Sequence, residues 1–120
     1  MTHARLGSML LSSTDPVRLR DWYAAALEPT EQQETNGYKL LKFGEIFVFF
    51  DSRDDVSGKN PEPGRVILNF DVEDARAVTA RMDALGTAWL SPLEDRDGNL
   101  FATAIDPDGN YVQVIQHQGM

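Results

Sequence analysis

Cysteine is absent from this 120-residue chain, and histidine occurs only twice. The lack of cysteine excludes disulfides, thiolate nucleophiles and zinc-thiolate sites. The two histidines, His3 and His117, lie near opposite ends of the sequence, where we expect solvated side chains. Any chemistry must therefore come from oxygen groups, amides or the shape of a binding surface.

Basic residues are also scarce, since 11 Lys and Arg face 19 Asp and Glu, for a formal net charge of −8. Nucleic acids and anionic membranes bind clustered Lys and Arg, so neither is expected as a partner. A negative surface attracts cations over long range. The charge balance thus favours a cationic small organic ligand, and the Trp89 indole could stack on an aromatic one.

Long apolar runs are missing as well. The sequence predicts neither a membrane span nor a basic leader of the secretory type. We therefore expect a cytoplasmic protein. With 42% hydrophobic and 25% charged residues, the sequence is typical of one globular domain over 1–120.

The most specific local pattern is Asp106-Pro107-Asp108-Gly109-Asn110, which precedes an alternating apolar strand. Proline restricts φ, and the Asp-Gly-Asn run tolerates positive φ, so the chain must reverse direction here. We predict a hairpin whose second strand starts at Tyr111.

Two helices are predicted from their start signals and spacing. Asp15-Pro16 and Asp74 are typical of helix N-caps. The first helix should bury one face and end before Pro29, and the second should end at Gly86. Their predicted core faces are Leu19, Trp22, Tyr23, Ala26 and Leu27 in the first helix, and Val78, Met82 and Leu85 in the second.

The order of strand, helix and hairpin strands occurs twice, in modules 5–56 and 64–117, with residues 51–64 predicted as a polar loop between them. A shift of 59 residues places Asp15 on Asp74, and a shift of 65 places Gly44 on Gly109.

This repeat and the near-C-terminal DPDGN hairpin resemble the vicinal oxygen chelate superfamily, which includes glyoxalase I, extradiol dioxygenases and bleomycin-resistance proteins. The resemblance extends from Arg5 to His117. It implies an α+β fold in which two βαβββ modules form a curved mixed sheet around a cleft, and a homodimer.

Strand alternation assigns side chains to the helix-packed face or to the cleft face. We predict that Val66, Leu68, Phe70, Val112, Val114, Met9, Leu11, Phe47 and Phe49 pack on the helices. An apolar wall with a few amides and hydroxyls is typical of a small-molecule pocket. The predicted ligand-binding residues are Ser8, Ser12, Val48, Phe50, Ile67, Asn69, Trp89, Phe101 and Gln113.

Enzymes of the superfamily hold a divalent metal on the first and last strands of each module. By the two shifts these positions fall on Ser8, Ile67, Val48 and Gln113. A hydroxyl and an amide are too few donors for a catalytic metal site. We therefore predict no metal, no cofactor and no catalytic residue.

The predicted function is that of a metal-free, bleomycin-resistance-like sequestering protein. The alternatives are a metal-dependent glyoxalase-like lyase or isomerase, or a dioxygenase, with unusual ligands such as Gln113 with His117 and a carboxylate. A regulatory or interaction module whose cleft is filled by side chains is a third.

Overall fold

The computed structural model describes residues 2–119, except for the side chain of Thr35. It divides into a first unit that ends at Val56 and a second unit that begins at Ser57. The first contains β1 (Ser8–Ser13), α1 (Pro16–Leu27), β2 (Glu31–Thr35), β3 (Tyr38–Phe43) and β4 (Ile46–Ser52). The second contains β5 (Leu68–Asp71), α2 (Ala75–Ala84), β6 (Ala88–Arg96), β7 (Asn99–Ile105) and β8 (Tyr111–Gln116).

Each unit forms one four-stranded mixed sheet, ordered β1-β4-β3-β2 in the first and β5-β8-β7-β6 in the second. In both sheets the first strand pairs in parallel with the last, and the other pairs are antiparallel. This confirms the predicted α+β class and βαβββ order. Within residues 2–119, no helix is long and apolar enough to cross a membrane.

Both helices begin at the predicted caps. The Asp15 carboxylate accepts from the Arg18 N–H at 3.2 Å, and the Asp74 carboxylate accepts from the Ala77 N–H at 3.1 Å. Gln116 on β8 supplies a further acceptor in the second unit, where its Oε1 binds the Ala75 N–H at 2.8 Å. The start of α2 is thus fixed to its own sheet.

The core of the first unit lies between α1 and one face of its sheet. Tyr23 is fully buried, and its ring centroid lies 5.6 Å from that of Phe50, which is 1% exposed. Val48 is 2% exposed on the same side of β4. The predicted faces of β4 were therefore wrong: Val48 and Phe50 pack against the helix, and Phe47 and Phe49 lie opposite.

The cause of this error is a difference in turn length. Leu10 pairs with Phe49 in the first sheet, and Asn69, 59 residues after Leu10, pairs with Gln113 in the second. The equivalent of Gln113 is therefore Phe49, a shift of 64, whereas matching the two turn glycines had given 65. A slip of one residue moves every side chain of a strand to the other face.

The second unit buries the helix-facing side of its sheet. Val112, Val114 and Ala104 are 0% exposed, and Ala102 is 1% exposed. The predicted faces of β8 agree with this pattern. Val66, predicted to be core, is 64% exposed because it precedes β5 and has no strand partner.

The predicted loop over 51–64 also needs correction. β4 continues to Ser52, and residues from Ser57 onward belong to the second unit. The Asn60 N–H donates to the Asp108 carbonyl at 2.7 Å, and the Asn60 side chain donates to Asn110 at 2.9 Å. This segment is therefore tied to the β7–β8 turn, and the boundaries of modules 5–56 and 64–117 stay a prediction.

Candidate functional site

A line of four neutral polar side chains crosses the second sheet on the face opposite α2. We call that side of each sheet its open face. Asn69 on β5 pairs with Gln113 on β8, Gln113 with Thr103 on β7, and Thr103 with Ser91 on β6. Residues in register share a face, so these four form one row perpendicular to the strands, the polar row.

The polar row has unused hydrogen-bonding capacity. Over residues 2–119, the structure gives none of its four side chains a hydrogen bond to another residue, although Gln113, Thr103 and Ser91 are half-buried. Two amides and two hydroxyls provide both donors and acceptors. A half-buried group without a partner gains from a ligand that supplies one.

Apolar side chains border the polar row on both sides. Ile115 pairs with Phe101 in the next row toward the C-terminal end of β8, and Tyr111 pairs with Ile105 in the preceding row. Ile115 is 9% exposed, and the other three are half-buried. The combination of apolar area with few polar groups is the composition of a small-molecule binding surface.

One ion pair and one hydrogen bond between a histidine and a carboxylate lie beyond this apolar border. Arg96 binds Glu94 through both Nε and Nη2, and its guanidinium lies 4.9 Å from the Phe101 ring centroid. His117 Nε2 lies 3.1 Å from Asp71 Oδ1, with both side chains largely exposed. Arg96 and Glu94 thus neutralise each other, and the Asp71 carboxylate is hydrogen-bonded to His117.

The open face of the first sheet is less polar. It carries Ser8, Leu10 and Ser12 from β1 beside Phe47 and Phe49 from β4. Leu10 is 52% exposed, and Lys42 Nζ lies 5.4 Å from the Phe47 ring centroid. At the positions equivalent to Asn69 and Gln113, this sheet has Leu10 and Phe49.

Several predicted ligand contacts are placed elsewhere. The Trp89 indole donates to the Asp83 carboxylate of α2 at 2.8 Å, so it lies on the helix side of the sheet with its partner Ala104. A register shift between Trp89 and Ser91 changes which face the following residues occupy. Val48 and Phe50 belong to the first core, and Ile67 precedes β5 at 40% exposure.

The structure places Asn69, Gln113 and Phe101, three of the predicted ligand-binding residues, on one face of the second sheet. Sequence reasoning missed Thr103 and Ser91. The alternation of buried Leu100, Ala102 and Ala104 in β7 indicates that Thr103 faces away from the helix, but the irregular pairing of β6 hides the same signal for Ser91.

A shallow depression of about 480 Å³ follows β4 and is lined by Ser52, Arg53, Asp54 and Asp55. Arg53 Nε and Nη2 bind the two carboxylate oxygens of Asp55 at 2.8 and 2.6 Å. This hydrogen-bonded pairing lowers the pKa of Asp55 and raises the pKa of Arg53. The depression is formed by an exposed loop in which Arg53 is paired with Asp55 and Asp54 adds a further carboxylate.

The comparisons with known proteins agree with this architecture. The model of the glyoxalase-like domain matches residues 8–115, which is most of the chain. The chain belongs to the glyoxalase-like domain family. A search of curated proteins gave no significant match to this glyoxalase-like chain.

Solved structures share the fold at low sequence identity. Fosfomycin resistance protein FosX from Mesorhizobium loti is 14% identical, with a TM-score of 0.73 over 99% of this chain and 96% of that one. A glyoxalase/bleomycin resistance protein from Albidiferax ferrireducens is 16% identical, with a TM-score of 0.73 over 92% and 97%. The oxidase ChaP-H2 is 17% identical, with a TM-score of 0.74 over 97% and 95%.

The metal that the superfamily implies does not fit the residues of this glyoxalase-like domain. With the corrected register, the four strand positions are Ser8, Ile67, Phe49 and Gln113. Two are hydrocarbon side chains, one is a hydroxyl and one an amide, and these are weak donors for a catalytic divalent metal. Within residues 2–119, no three His, Asp or Glu side chains converge on one point.

Proposed function

We propose that this glyoxalase-like chain binds a small aromatic organic molecule and sequesters it without changing it chemically. The binding surface is the open face of the second sheet. The observation that carries the proposal is the polar row, in which Gln113, Thr103 and Ser91 are half-buried; its side chains have no side-chain partners among residues 2–119, and apolar residues border it.

The proposed roles follow from the chemistry of each group. Gln113 and Asn69 orient the ligand, while Phe101 and Ile115 supply apolar contact area. Ser8 and Ser12 lie on the open face of the first sheet, which is not part of this binding surface, and their ligand contacts stay a prediction. Val48, Phe50 and Trp89 are withdrawn from the ligand-binding set because they face the helices.

The direct test is a thermal-shift screen of aromatic metabolites and antibiotics, followed by calorimetry with wild-type protein, Gln113→Leu and the control Gln32→Leu on exposed β2. We expect a hit whose affinity falls about tenfold in Gln113→Leu, because one hydrogen bond is lost, and stays unchanged in the control. A hit that Gln113→Leu does not weaken would place binding elsewhere.

We propose that the site works without a metal, because its strand positions present hydrocarbon, hydroxyl and amide groups. The rival is a metal-dependent lyase, isomerase or dioxygenase. Elemental analysis of untagged protein purified without chelator, with thermal shifts on addition of Ni, Zn, Mn and Fe(II), separates the two. Near-stoichiometric metal, or a rise of several degrees in melting temperature on metal addition, would support the metal-dependent enzyme instead.

Drug resistance is a biological role consistent with sequestration, and the fosfomycin resistance protein FosX supplies the analogy. We expect expression in a susceptible host to raise the tolerated concentration of an antibiotic that the purified protein binds. A Gln113→Leu strain should lose that protection at equal protein level.

We also propose a homodimer, because Leu10 is 52% exposed on an open face that also carries Phe47 and Phe49. Light scattering should give twice the 13.4 kDa of one chain. A monomer at high micromolar concentration would refute this part of the proposal.

A further inference from the structure

We propose that the polar row selects an uncharged planar ligand that carries an amide-like edge, with a carbonyl and an N–H or NH2 group side by side. This inference rests on the proposed binding function and names its ligand class. It replaces the cationic ligand that the net charge of −8 favours.

The first argument is the match of hydrogen-bonding groups. A primary amide such as that of Gln113 presents one acceptor and two donors in a plane, so it can form two parallel hydrogen bonds with another amide edge. Asn69 offers the same groups on the adjacent strand, directly opposite Gln113. Cross-strand neighbours have Cβ atoms about 5 Å apart, so one small ligand can contact both.

The second argument is the position of the aromatic group. Phe101 is paired with Ile115, one row away from the pair formed by Thr103 and Gln113. Phe101 and Gln113 are therefore diagonal neighbours, at about 7 Å. A ring with one amide substituent can thus contact the Phe101 ring while its amide reaches Gln113.

The third argument is charge. All four side chains of the polar row are neutral; beside its apolar border Arg96 is paired with Glu94, and Asp71 is hydrogen-bonded to His117. A charged ligand would lose hydration at the row, whose own four side chains offer it no counter-charge. Long-range attraction of cations raises encounter rates, but the contacts at the row decide which ligand stays.

Three isosteric probes test the inference: benzamide is neutral, benzamidine is a cation and benzoate is an anion. Each is titrated into ¹⁵N-labelled protein, and binding is read from chemical shifts. We expect benzamide to bind at least about tenfold more tightly than either ion, with the largest shifts at Thr103 and Gln113. Equal or tighter binding of benzamidine or benzoate would overturn the inference, as would shifts confined to other strands.

Variants make the test specific to the row. Thr103→Val keeps the side-chain shape and removes the hydroxyl, and Gln113→Glu replaces the amide by a carboxylate. We expect Gln113→Glu to reverse the preference toward benzamidine, and Gln32→Leu to leave benzamide binding unchanged. If Gln113→Glu is folded but still prefers benzamide, Gln113 does not hydrogen-bond to the ligand amide and the inference is wrong.

The outcomes also separate this inference from the proposed function. Failure of all three probes, with a confirmed hit from the metabolite screen, would overturn the amide-edge inference alone. Failure of the probes together with an empty screen would overturn both.

Discussion

The two units share one plan but differ on their open faces. Each has a capped helix packed on a sheet whose first and last strands are parallel. At equivalent positions, however, the first sheet presents Leu10 and Phe49, and the second presents Asn69 and Gln113. The buried faces are constrained by packing, whereas the open faces are free to differ in chemistry, so we expect the two sheets to have separate roles.

The hairpin turns differ in the same way. β3 and β4 are joined by Gly44 and Glu45 alone, while β7 and β8 are joined by the five residues from Asp106 to Asn110. The Asp106 carboxylate, on a residue that is 2% exposed, accepts from the Asp108 N–H, the Asn110 N–H and the Asn110 side chain at 2.9 to 3.0 Å. One turn is short and exposed, and the other is held by a buried network.

The largest loss of stability is expected from a substitution on the helix-facing side of β4. We expect Phe50→Ala to lower the free energy of unfolding by about 3 to 5 kcal/mol, because it leaves a cavity against Tyr23. Phe49→Ala, on the open face, should cost about 1 to 2 kcal/mol. Urea denaturation of both variants checks this. A larger loss of unfolding free energy for Phe49→Ala would show that Phe49, and not Phe50, faces the helix.

The second largest loss of stability is expected at the turn between β7 and β8. Asp106→Ala leaves three donors of a buried turn without their acceptor, so we expect a loss of about 3 kcal/mol. The matched change in the first unit, Glu45→Ala, should stay within about 0.5 kcal/mol because Glu45 is exposed. Thermal unfolding of the two proteins measures the difference, and equal melting temperatures would show that the network adds nothing.

The helix caps should behave alike in both units. Asp15→Ala and Asp74→Ala should each lower the free energy of unfolding by about 1 kcal/mol. Gln116→Leu should add about 1 kcal/mol of destabilisation to Asp74→Ala, because it removes the acceptor of the Ala75 N–H. A double variant no less stable than Asp74→Ala would mean that this bond does not support α2.

The smallest effect is expected at the pair of His117 and Asp71. Both groups are exposed, so His117→Gln should change the free energy of unfolding by at most about 0.5 kcal/mol. Denaturation at low and at high salt checks this. A loss above about 1 kcal/mol would assign a structural role to the C-terminal end of β8.

Local signals predicted the fold well. Asp15, Pro29, Asp74 and Gly86 mark helix ends because capping and backbone restrictions act over a few residues. The face of β8 was predicted correctly because its alternation is regular. The face of β4 was not, because five consecutive apolar residues from Ile46 to Phe50 carry no alternation and the turn glycines lie in loops of unequal length.

The site depended on information that is not local. Asn69 and Gln113 could be placed on one face from alternation, but their direct pairing is a property of the parallel register between distant strands. Ser91 and Trp89 occupy opposite faces because of a register shift in β6; Pro92 indicates an edge strand or a bulge but not the position of the shift. Sequence reasoning therefore found the polar character of the face but not its arrangement as a row.

The attachment of Asn60 to the β7–β8 turn has a practical consequence for dissecting the protein into fragments. A polypeptide that begins at residue 64 would lack the partner of the Asn110 side chain and of the Asp108 carbonyl. A split-protein design or a protease cleavage site is better placed near Val56, where the first unit ends. A fragment that begins at Ser57 would preserve every hydrogen bond that Asn60 makes to the turn.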